Sequence, residues 1–84
     1  MTTLEFDLLD ELYFVISFSA LQKELGWEEA ILKTELTNLL QKGWVKYIDA
    51  QTMVEAPLNL IEPHYHLYLY LATKKGLLAH HSKD

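Results

Sequence analysis

The chain contains no cysteine and no arginine, and among its 84 residues there are only two prolines and three glycines. Without cysteine, neither a disulfide framework nor a thiolate metal site can be built. Gly26, Gly43 and Gly76 stand far apart, so no phosphate-cradling loop can be assembled from them. No apolar run approaches the length that spans a bilayer, and the N-terminus lacks a basic, then apolar, leader pattern. A cytoplasmic location is therefore the expectation. The cations are all lysines, seven against twelve acidic residues, for a formal charge of -5.

What is present suits a small folded domain. Half of the residues are hydrophobic and 23% are charged, a globular balance, and the length fits one domain over residues 1–84. A chain this short buries only about 60–65% of its unfolded surface, so its core is small.

Thr2 and Glu5 form a capping-box pattern, with Met1 and Phe6 spaced as a hydrophobic staple, which predicts a helix from Thr2 to about Tyr13. Its apolar residues (Leu4, Phe6, Leu8, Leu9, Leu12, Tyr13) sweep roughly 200°, wider than one core contact requires. Asp7, Asp10 and Glu11 fill the remaining side. Phe14 to Phe18 is β-branched and aromatic and reads as a short extended segment, with continuation of the first helix as the alternative. Ser19, with Gln22 three residues on, predicts the cap of a second helix that stops at Gly26. A third helix spans about Glu28 to Lys42, with Leu32, Leu36, Leu39 and Leu40 on one side and Gly43 closing it.

Trp44 to Asp49 has strand character, and 50–63 is a connection that Pro57 and Pro63 keep out of a strand ladder. His64 to Ala72 reads as a second strand, alternating His64/His66/Tyr68/Tyr70/Ala72 with Tyr65/Leu67/Leu69/Leu71. Thr73 then caps a short helix over Lys74–His81. Helix, short strand, helix, helix, strand, long loop, strand, helix is the resulting order, an α+β class. Trp27 and Trp44 flank the third helix and read as packing residues.

Three segments in that order resemble the winged helix-turn-helix domains of PadR-type and MarR-type bacterial transcription regulators. They are Ser19 to Trp27; Leu36, Leu39 and Gly43 followed by Trp44-Val45; and Tyr70-Leu71-Ala72-Thr73-Lys74-Lys75-Gly76, where Ala72 replaces the usual leucine. The resemblance implies a three-helix core, a small antiparallel wing over 50–63 and a short C-terminal helix. It also implies a homodimer through the first helix and the C-terminal segment. In such domains the third helix enters the major groove of DNA. Carried over, the groove-facing positions are about Glu28, Glu29, Ala30, Lys33, Thr34 and Thr37.

The charge pattern departs from that use. Duplex binding draws on lysine and arginine neutralising phosphates, and base reading leans on arginine. This chain offers no arginine and puts Glu28 and Glu29 at the helix end that otherwise attracts phosphate. The expected function is therefore protein–protein interaction, through Leu9 and Tyr13 on the first helix, Met53, Val54 and Leu58 in the wing, and the C-terminal strand. The alternative is a sequence-specific DNA-binding regulator using Lys33, Thr34 and Thr37, with Lys23 and Lys46 on phosphates. The two differ in whether the lysines gather on one face.

Chemistry has few candidates. His64 and His66 leave one face of the predicted strand, but no zinc spacing supports them, and His80-His81 suit a helix C-terminus. No nucleophile motif is present, and so small a domain leaves little room for a pocket of about 300 Å³. No cofactor, metal or catalytic residue is expected, and the chain is not expected to be an enzyme.

Overall fold

A computed structural model of the chain describes residues 1–49 and 65–81. Helix α1 (Thr3–Asp10) starts where Thr2 and Glu5 cap each other. The Glu5 N–H donates to the Thr2 hydroxyl at 3.1 Å and the Thr2 N–H to the Glu5 carboxylate at 2.9 Å. The helix ends at Asp10, short of the predicted Tyr13, because the Leu12 carbonyl accepts the Ala72 N–H at 2.9 Å. That bond draws the chain away from the helix axis toward the sheet.

Strand β1 (Ile16–Ser17) leads directly into α2 (Phe18–Leu25). The cap is Ser17 and not the predicted Ser19: its hydroxyl accepts the Ala20 N–H at 3.2 Å. The earlier start turns Phe18 into the core, where it is fully buried. Gly26 closes α2 and Gly43 closes α3 (Glu29–Lys42), both at positive φ, where only glycine is unstrained.

Strand β2 (Val45–Asp49) pairs antiparallel with β3 (Tyr68–Ala72), and β1 pairs with the other edge of β3, so the sheet order is β1-β3-β2. The predicted strand from His64 is shorter than its alternation suggested, since Tyr65–Leu67 forms a 3-10 turn. Its aromatic face is the inner one. Tyr68, Tyr70 and Ala72 are buried and join Val45 and Tyr47 of β2 in one core with Leu8, Leu12 and Leu36.

Helix α4 (Lys74–His81) is latched to the end of α3 through Thr73. Its N–H donates to the Trp44 carbonyl at 2.9 Å, its hydroxyl donates to the Gly43 carbonyl at 2.7 Å, and the same hydroxyl accepts the Gly76 N–H at 3.1 Å. A Cβ on Gly76 would lie 2.0 Å from the Trp44 carbonyl oxygen, so only glycine allows α4 so close. Among the described residues, four helices and a three-stranded antiparallel sheet share this core, an α+β arrangement. No helix there is long and apolar enough to cross a membrane.

Candidate functional site

Helix α3 has two flanks. One faces the 65–67 turn, where the Tyr65 hydroxyl donates to the Glu29 carboxylate and His66 Nε2 lies 3.3 Å from the same oxygen. One turn on, the Lys33 ammonium sits over the Tyr65 ring, 4.9 Å from its centroid. Tyr65 and His66 rest in turn on Phe18, with ring centroids 4.7 and 5.1 Å away. The next turn adds no outward donor, because the Thr37 hydroxyl donates back to the Lys33 carbonyl at 2.8 Å.

The other flank faces α1. Leu4, Ala30, Ile31, Thr34 and Glu35 line an open groove of about 320 Å³. Leu4 is 40% exposed and Ile31 43%, unusual for leucine and isoleucine beside a core this small. Asp7 and Glu28, roughly one turn from Leu4 and Ile31, are exposed as well. Farther along this flank Glu5 is paired with Lys42, whose ammonium also lies 4.7 Å from the Trp44 ring centroid. Burial pushes the Glu5 carboxyl up. The Lys42 ammonium, the Thr2 N–H and the N-terminal charge outweigh it and hold the group below the usual carboxylate value.

Between α1 and α4 a third cluster forms. Phe6, Asp10 and Tyr13 follow helical spacing and converge on His80. Its ring stacks on Phe6 at 4.2 Å, and Nδ1 meets the Tyr13 hydroxyl at 2.7 Å. Nε2 faces the Asp10 carboxylate at 3.5 Å, and Tyr13 also reaches His81 Nε2 at 3.2 Å. These histidines thus join two helices. Among the described residues no group of three or more acidic and histidine side chains is placed to hold a metal ion. His64 lies outside the described residues.

The structure scatters the predicted interface residues. Leu9 is corrected: it is fully buried in the core, because the wide apolar arc of α1 is covered by α3 on one side and α4 on the other. Tyr13 is half-buried against α4. Met53, Val54 and Leu58 lie outside the described residues, and Tyr68 and Tyr70 of the C-terminal strand are core. Trp27 and Trp44 are half-buried and pack on the core, as expected.

The predicted DNA contacts do not converge either. Lys23 is exposed on α2, Lys33 and Thr37 turn to the Tyr65 flank, and Thr34 opens on the groove. Lys46 alternates with buried Val45 and Tyr47, so it leaves the sheet face opposite the core.

Two features were missed. The domain holds an open groove of about 320 Å³ beside Ile31, where the length of the chain suggests little room for one. The signal was Ile31 itself, an apolar residue one step off the Leu32, Leu36 and Leu39 stripe. The other is Phe14, 82% exposed between α1 and β1, with Val15 beside it. No protein-family model, curated protein or solved structure matches the chain.

Proposed function

We propose that the chain is a winged-helix module, cytoplasmic and non-enzymatic, that acts by protein–protein contact with a second copy or a regulatory partner. The element order and the β1-β3-β2 sheet support the winged-helix reading; its wing, 50–63, lies outside the described residues. One observation carries the functional part. The N-terminal half of α3, which would have to meet phosphates, has its lysine laid on Tyr65, its first glutamate held by Tyr65 and His66, and Glu28 exposed. Such an end repels a polyanion. The remaining exposed side of the N-terminal half of α3 (Ala30, Ile31, Thr34) adds no cation and is bordered by Glu35, and exposed Leu4, Phe14 and Val15 add apolar surface suited to a protein partner.

The test is fluorescence anisotropy of a labelled random duplex titrated with the protein at about 50 mM salt, where non-specific binding is strongest. No binding at tens of micromolar is expected, against about 10⁻⁴–10⁻⁶ M for non-specific binders at physiological salt. Binding that fades steeply with salt overturns the reading in favour of a DNA-binding regulator using Lys23, Lys33, Thr34, Thr37 and Lys46.

A further inference from the structure

We propose that the groove between α1 and α3 receives the outer face of α4 from a second copy of the chain, with Leu78 as the anchor. The inference rests on the protein-contact reading and names the surfaces that meet. The groove is apolar at its centre, Leu4 and Ile31, and acidic around it, with Glu35 in its lining and Asp7 and Glu28 exposed nearby. None of these three carboxylates has an ion-pair partner among the described residues. Lys42, the cation farther along that flank, is already held by Glu5.

Helix α4 carries the opposite pattern. Lys74, Lys75, Leu78 and His81 are its exposed residues, Leu78 at 57%. At three and four residues before Leu78, both lysines share its side of the helix. One apolar knob flanked by two cations is the complement of an apolar groove flanked by carboxylates, a helix-in-groove contact. The knob is also rigidly presented. Gly76 packs the inner side of α4 onto Trp44, and His80 stacks on Phe6, so little freedom is lost on docking. Each copy has one groove and one α4, and a two-fold dimer in which they dock reciprocally uses both contacts.

The experiment is sedimentation equilibrium of the full chain from micromolar to near-millimolar concentration, with circular dichroism confirming that each variant is folded. A concentration-dependent dimer is expected. Leu78→Asp should weaken it by about thirtyfold or more. Glu35→Lys alone, and Lys74→Glu with Lys75→Glu, should each weaken it by about tenfold. Combining Lys74→Glu and Lys75→Glu with Asp7→Lys, Glu28→Lys and Glu35→Lys should recover most of the lost affinity, because all the charges have then changed sides. A chain that stays monomeric throughout, a dimer indifferent to Leu78→Asp, or a fully charge-swapped variant no tighter than its Lys74→Glu, Lys75→Glu parent would each overturn the pairing. A monomer that also ignores duplex DNA sinks only this pairing and leaves the protein-contact reading; a dimer that binds duplex does the reverse.

Discussion

On the flank of α3 facing the 65–67 turn, Glu29 and Lys33 meet a tyrosine hydroxyl, an imidazole and a ring face, and those rings rest on Phe18. On the flank facing α1, Ile31, Thr34 and Glu35 stop at an open groove. Both flanks belong to one helix over one leucine core, so the difference lies in their neighbours. Aromatic residues brought up by the 3-10 turn can shield apolar surface and engage charge at once. Leu4 can do only the first, and the carboxylates beside it have no counter-charge among the described residues. That is the flank on which the proposed contact with a second copy is placed.

Four substitutions test that contrast. The largest effect is expected at Gly76, since α4 and the end of α3, from which both flanks hang, meet there. Gly76→Ala forces a Cβ against the Trp44 carbonyl and should cost about 3 kcal/mol or more, measured by urea unfolding. Next is Phe18→Ala, which removes the support under Tyr65 and His66. It should cost about 3 kcal/mol and leave Glu29 and Lys33 more mobile by NMR, while the groove residues keep their shifts.

Third, Glu5→Gln loosens the far end of the groove flank and should cost about 1 kcal/mol at neutral pH. The Glu5 carboxyl titrates lower when folded than its ordinary value of 4.5. Its stabilisation is therefore present above 4.5 and lost as the pH falls through the lower folded value. The gap between wild type and variant should close in urea titrations below that range. A gap that persists there would place the contribution in packing and not in charge. The smallest effect belongs to the groove wall: Ile31→Thr should change stability by less than about 0.5 kcal/mol, because the side chain is already nearly half in water. A cost comparable to Phe18→Ala would mean that the two flanks do not differ.

The sequence made local features legible. The Thr2–Glu5 box, the stops at Gly26 and Gly43 and the Thr73 cap depend on residues three or four apart, and a linear reading sees them. It misjudged the choice between Ser17 and Ser19, whose hydroxyls lie 3.4 Å apart, because both could cap and the core's demand for Phe18 decided between them. It also extended the last strand through Tyr65 and His66, where period-two alternation persists although Glu29 and Phe18 hold those residues in a turn. Leu9 could not be assigned from α1 alone. Its wide apolar arc says that more than one neighbour covers it, but not that α4 is the second. The aromatic and acidic series Phe6, Asp10, Tyr13 at helical spacing was the available hint of a partner for His80.

The sheet order carries a consequence in time. Among the described residues β3 is the last strand and the central one, and there neither β1 nor β2 has a strand to pair with until it exists. The Leu12 carbonyl likewise waits for Ala72. Folding must therefore bring distant parts of the chain together before this sheet forms, so loop-closure entropy weighs on its rate more than helix formation does. During synthesis the described residues up to Asp49 can hold helices, while the β1-β3-β2 sheet waits for β3.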